Sequence, residues 1–373
     1  MRTYLLLYLL VTAATTAMAT PADTTGRPIY YEPAPEGMLR FFYDDRYYLA
    51  AKACSFRAIE RIAKFDFNKQ VFVGEFVDFN LSGRAILRGG YENGKKEGKF
   101  TAYHPNGQRK WEVTFVQDAP RGIWAFYYPD GKPLLELEYG TSGTIIRNFW
   151  DTRGRQQVTD GNGKYAFEIA ADGYNEYGYV RYRRSGRVVN GLPHGNWIVE
   201  YVFEDGEKAG AGHEYYRDGQ FIRGYETFTD ETFDDTPRYR LYPVEFFDRA
   251  TTMVSKACTI DEYSGFTQYL EKYFERWFAT VNAAALASQQ IELAISVDET
   301  GTAQRIEAIQ TFPSAQYASL LLSACHGIEF WFPSYADGEY TADTLTLTAE
   351  VAPDPDGQKL HFYNIQIRRE KGY

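Results

Sequence analysis

Several short stretches carry residue types that could do chemistry. Gly89-x-x-x-x-Gly94-Lys95-Lys96 comes close to a phosphate-cradling loop, in which backbone N–H groups and a lysine hold the phosphates. It lacks the closing Ser or Thr and lies between strand-like runs, so a turn is expected there. Gly161-x-Gly163-x-x-Ala166 mimics a dinucleotide fingerprint but opens no helical pattern. His104, His194, His213, His326 and His361 show no metal-ligand spacing. Cys325-His326 has the composition of a nucleophile and its base, yet neighbours along a helix point apart. Asp354-Pro355-Asp356-Gly357 starts like a calcium loop without the later ligands. Acids are numerous enough for a glycosidase-like pair, but sequence alone cannot bring two together. No catalytic residue, cofactor or metal ligand is expected, and the chain is not read as an enzyme.

The elements that would position any site follow one repeating pattern. It reads Gly74-x-Phe76-x-x-Phe79-x-x-Ser82-Gly83, then Gly98-x-Phe100-x-x-Tyr103-x-x-Asn106-Gly107, then Gly122-x-Trp124-x-x-Tyr127-x-x-Asp130-Gly131. The period is 24 residues each time, the mark of a repeat architecture. Ile123 to Tyr128 is rich in aromatic and β-branched residues, as strands are. Pro129-Asp130-Gly131, like Pro105-Asn106-Gly107, supplies turn chemistry, with positive φ expected at Gly107 and Gly131. The returns Trp111 to Phe115 and Leu135 to Tyr139 alternate with period two. Each unit is therefore a hairpin that is marginal alone and stacks on its neighbours. Trp124 is expected as a buried rung beside Phe100. Degenerate copies follow near Trp150 to Gly154, Gly195 to Gly206 through Trp197, and Tyr215 to Gly219.

This pattern resembles the MORN repeat, in the shorter variant of exported bacterial proteins, over about residues 71 to 226. The resemblance implies an antiparallel β-hairpin array.

The amino terminus reads as a signal peptide: one charge in Met1-Arg2-Thr3, an apolar run from Tyr4 to Ala14, and Ala17-Met18-Ala19 as the cleavage signature. An exported protein, periplasmic or associated with the outer envelope, with no membrane span in the mature chain is expected. Lys and Arg number 40 against 50 Asp and Glu, a net charge of −10, and losing Arg2 makes the mature chain about −11. With no basic stripe, nucleic acid and anionic lipid are not expected partners. Cys54, Cys258 and Cys325 specify no disulfide framework, and Cys258–Cys325 is the only pair near one expected domain.

Residues 20–70 read as a Pro-rich leader and an amino-terminal cap, with a helix expected near Leu49 to Lys64. The acidic run Asp230 to Asp235 and Pro237 place a linker at 228–258, between repeats at 71–227 and a domain at 259–373. There Phe266, Leu270, Tyr273, Phe274 and Trp277 fall at helical spacing, Ile291 to Val297 alternates as a strand, and Asp298-Glu299-Thr300-Gly301 makes a turn. A return from Thr302 to Gln310, a helix from Ser314 to Cys325 and a strand from Thr341 to Val351 complete an αββαβ order. Leu360 to Arg368 is expected to add beside that last strand, with Phe362 on one face and Tyr363, Ile365 and Ile367 on the other.

This order, Asp298-x-x-Gly301 and the motif Trp331-Phe332-Pro333-Ser334-Tyr335-Ala336-Asp337-Gly338 resemble the TonB carboxy-terminal domain. That resemblance implies capture of an extended segment on a sheet edge. The fold class expected is mainly β with a small α+β domain. The expected function is an envelope binding or scaffold protein whose partner is an envelope protein or extended peptide. The alternatives are an atypical energy transducer, or a carbohydrate-active hydrolase using exposed aromatics and carboxylates. The leader and the array, which stands where a transducer has its spacer, depart from the transducer pattern.

Overall fold

The computed structural model describes residues 31–140, 143–283, 286–336 and 339–371. Ala17 and Ala19 of the expected cleavage site, and Gly338 of the tryptophan motif, lie outside the described residues. The chain is mainly β and antiparallel, and it divides into two compact units. One runs to Ala170 and resumes over Val180–Lys256; the other comprises Ala171–Tyr179 and the chain from Ala257.

The first unit is a single antiparallel meander. It opens with β1 (Tyr31–Pro33), β2 (Leu39–Tyr43), β3 (Ile59–Asp66), β4 (Val71–Asn80), β5 (Ala85–Glu92) and β6 (Lys95–Lys96). The middle comprises β7 (Gly98–Tyr103), β8 (Arg109–Val116), β9 (Ala119–Tyr127), β10 (Pro133–Gly140), β11 (Gly143–Trp150) and β12 (Gln156–Thr159). It ends with β13 (Asn162–Ala170), β14 (Arg181–Val189), β15 (Leu192–Val202), β16 (Lys208–Arg217), β17 (Gln220–Glu226) and β18 (Glu231–Phe233). Consecutive strands pair, apart from β5, which pairs with both β6 and β7. One face buries the rungs expected from the repeat: Phe76 and Phe100 lie 5.6 Å apart between ring centres, and Phe100 and Phe115 4.9 Å.

Two expectations give way here. The stretch Leu49 to Lys64 is not a helix; turns lead into β3, where Ile59, Arg61 and Ala63 alternate inward and are all buried. That period of two outweighs a weak helical propensity. Residues 228–258, read as a linker, instead carry β18 and then a strap that runs back along the sheet's apolar face. The Leu241 carbonyl accepts from Tyr165 Oη at 3.1 Å, Tyr242 Oη donates to the Thr144 carbonyl at 3.2 Å, and Glu245 meets Lys110 at 2.9 Å. Asp248 then meets Lys96, and Leu49 N donates to the Val254 carbonyl at 2.8 Å. Phe247, Ala250 and Met253 are buried in the same core as the rungs. The strap thus visits the strands in reverse order.

The second unit has helices α1 (Ile260–Ser264), α2 (Phe266–Trp277) and α3 (Ala315–His326). Its four-stranded sheet is built from β19 (Gln289–Val297), β20 (Ala303–Gln310), β23 (Asp343–Pro353) and β24 (Leu360–Arg369), in the order β20-β19-β23-β24. The short pair β21 (Ser334–Ala336) and β22 (Glu339–Thr341) forms a separate ribbon. β23 pairs with β19, Leu293 opposite Leu347, and Leu345, Leu347 and Ala349 face the core. β24 also adds to β23 as expected, but its faces differ from the expectation. The register shifts between Thr348 and Glu350, Asn364 takes φ 53°, and the extra residue turns Phe362, Ile365 and Ile367 all inward.

Candidate functional site

The residues singled out in the second unit converge. Asp298 caps the β19–β20 hairpin, accepting from Thr300 N at 2.9 Å, Thr302 N at 3.0 Å and Gln304 Nε2 at 2.6 Å. Its hydrogen bonds, that of the Thr300 hydroxyl first, hold the carboxyl below its ordinary range. Gly301 has φ 86°, and a Cβ there would sit 2.3 Å from the Phe330 ring. Its carbonyl accepts from Trp331 N at 2.8 Å, so the hairpin turn and the tryptophan motif lock directly together. Trp331 and Pro333 are buried, and the Trp331 ring stands edge-on to Phe266 at 5.6 Å.

Sequence reasoning missed the polar centre beside them. Arg369 makes two bonds to Asp261, at 2.6 and 3.0 Å, and a third to the Phe332 carbonyl at 2.7 Å. Ser334 Oγ donates to Asp343, which also accepts the backbone N–H groups of Glu370 and Lys371. The motif residues therefore tie α1, the tryptophan segment and β24 into one buried knot. Their geometry is that of a fold determinant. The outer strand β20 is different: among the described residues it pairs with β19 alone, and Ile309 is 59% exposed.

In the first unit the repeat positions also serve the fold. Gly74, Gly98 and Gly122 open each copy with φ of 72°, 79° and 69°, and Gly107 and Gly131 close their turns at 86° and 85°. Gly83 likewise has φ 74°. Phe76, Phe100 and Trp197 are buried, while Tyr103 and Tyr127 are half-buried. Trp124 departs from its expected place. It is half-buried and packs on Trp111 at 5.2 Å and Phe115 at 6.0 Å, and it is Trp111, in the return strand, that is fully buried. Two interior ion pairs were also missed, Arg61–Asp78 and Arg184–Glu214. Arg61 had a signal: it falls on the inward register of β3, where a charge needs a buried partner.

The chemical look-alikes disperse. Gly94 turns β5 into β6, Gly161 turns β12 into β13, and Gly357 closes a turn on the Asp354 carbonyl at 2.9 Å. Cys325 is a free, buried thiol that burial pushes up to about 12, and its neighbour His326 is exposed. Cys54 and Cys258 are both disulfide-bonded, which removes the Cys258–Cys325 pairing. His104 binds the Tyr127 carbonyl and His361 binds Glu275, so the histidines sit apart. Among the described residues no cluster of three or more His, Cys, Asp or Glu could hold a metal, and no helix is long and apolar enough to cross a membrane. A scan against protein-family models matches none, and a search of curated proteins finds no match.

Proposed function

We propose that the chain is an exported cell-envelope protein that works by binding other proteins, with the second unit's sheet edge as its contact and the array as scaffold. The observation that carries this reading is the outer strand β20, hydrogen-bonded among the described residues on one side only and exposed along most of its length. An unpaired edge offers a row of N–H and C=O groups to an extended segment. The likeness of Asp298-x-x-Gly301 and Trp331-x-Pro333 to the TonB carboxy-terminal domain supports the same mode, with an extended segment of an envelope protein as partner. The MORN-like copies support a scaffold role, since Phe76 and Phe100 point into the core and the turns and polar side chains stay outside.

Photo-crosslinking from position 309 in the native cell tests the proposal, with exposed Ile222 of β17 as a second position. One recurrent protein adduct at 309, lost when Ala308→Pro removes an edge donor, is the expected result. Absence of any adduct at either position sinks it. Mass spectrometry of the mature chain tests export, which requires a start at Thr20.

A further inference from the structure

On the outer face of the first unit's sheet, bases are matched by acids. Glu112 takes Lys99 and Arg109, Glu138 takes Arg147, Glu168 takes Arg181, and Glu200 takes Arg183. Opposite charges on facing strands are the stabilising arrangement.

A facing pair of bases departs from this pattern. Lys164 on β13 and Arg187 on β14 are direct cross-strand partners, both are exposed, and among the described residues neither meets a carboxylate. The next neighbour of Arg187 across the sheet is His194, again not an acid. Like charges placed directly opposite destabilise a sheet, so an anion between them would relieve the cost. Both side chains line a groove of about 920 Å³, where the other two cations, Arg155 and Arg183, are already paired with Asp151 and Glu200. Asp151 is the one carboxylate in that lining, and it is already engaged by the Arg153 and Arg155 backbone N–H groups and by the Arg155 guanidinium. A chain with a net charge of −10 thus gathers a local positive excess.

We propose that this groove binds an anionic saccharide chain, its carboxylates seated on Lys164 and Arg187. Guanidinium and ammonium groups supply strong charge-assisted bonds to carboxylates. The floor is formed by β12 to β15; β14 and β15 are hydrogen-bonded to strands on both sides, and β13 meets β12 at Asn162 and Gly163. Thr152, Gln157, Ser185 and Asn196 complete the lining with hydroxyl and amide groups, which both donate to and accept from sugar hydroxyls.

Calorimetric titration of the full chain with an oligouronate, a neutral oligoglucan of equal length and poly-glutamate tests this site. The oligouronate is expected to bind, more weakly as salt is raised, and the neutral oligomer not to bind. Lys164→Gln with Arg187→Gln is expected to weaken oligouronate binding by at least ~10-fold, since each loses a hydrogen bond to a charged group. Because the double variant removes a like-charge contact at the surface, its melting temperature is expected to hold or rise. No oligouronate binding by the unaltered chain overturns the proposal, as does unchanged affinity in the variant. Poly-glutamate binding as tightly as the oligouronate overturns it too, and assigns the groove to an acidic peptide. The strand edge of the second unit is not involved, so failure here leaves that reading standing.

Discussion

Arg61 and Asp78 face each other across β3 and β4 with two bonds of 2.7 and 2.8 Å, and neither side chain reaches solvent. Tyr47 Oη also donates to Asp78 at 2.9 Å, and Arg61 donates to Tyr91 Oη and lies 4.1 Å over the Phe76 ring. Removing one partner strands the other charge in the core. Asp78→Ala is expected to cost about 3–5 kcal/mol in denaturant unfolding, whereas Arg61→Met with Asp78→Leu recovers most of the loss. Equal stability of Asp78→Ala and the unaltered chain contradicts a dry, paired site.

The strap makes a sharper forecast than a linker would. Phe247 rests against Phe100, Trp111 and Phe115 at 5.7, 5.5 and 6.0 Å. Phe247→Ala is expected to destabilise the first unit by about 3–5 kcal/mol through lost burial and a cavity. Limited proteolysis should spare residues 239–253 in the unaltered chain and cut them in the variant. Ready cleavage there before any substitution would restore the linker reading.

Two tryptophans of the array should rank by burial. Trp111 is 1% exposed and Trp124 is half-buried, so alanine at 111 is expected to lower the unfolding midpoint more than alanine at 124. The reverse order would place the rungs differently from the packing described above.

Glu271 on α2 has its carboxyl pushed up to about 7 from its ordinary 4.5, chiefly by burial and then by the nearby charges of Glu262 and Glu275; Lys272 opposes the shift. A raised folded value means that the native state holds the proton more tightly. Its contribution is full below about pH 4.5 and is lost as pH rises through about 7. Glu271→Gln, which cannot ionise, is expected to melt with the unaltered chain in acid and above it in mild alkali. Parallel melting curves across that window would show that the carboxyl is solvated.

β24 contributes Leu360, Phe362, Ile365 and Ile367 to the core, and Arg369 to the buried pair with Asp261. Deleting residues 358–373 to open a sheet edge is therefore expected to abolish cooperative unfolding of the second unit. A truncated chain that keeps a sharp second transition would show that β24 is only an added cover.

Local chemistry made much of this fold legible. Turn glycines such as Gly107 and Gly131 need positive φ, and the alternation of Leu135 to Tyr139 requires a half-buried strand; both can be read within a few residues. The failures are non-local. Nothing near Phe247 announces that strands β7 and β8, more than a hundred residues earlier, will cover it. An acidic run beside it pointed to solvent instead. Phe362 shares a face with Ile365 and Ile367, against the expectation from alternation, because one bulge residue, Asn364, inverts the parity of everything after it. The Lys164–Arg187 groove stayed hidden for a related reason: the two residues lie on different strands, and only the register makes them neighbours.

The reverse path of the strap sets an order of events in folding. Arg249 donates to the Arg46 carbonyl, 203 residues back along the chain. Hairpins close in microseconds from local contacts, but this closure must wait for the whole array and is slowed by the loop it spans. Until residue 256 has been delivered, Phe100, Trp111 and Phe115 lack their cover and lie on a bare apolar ribbon. Whatever compartment folds the protein has to keep that ribbon from other chains, because exposed strands and rings at this stage invite association before the last segment arrives.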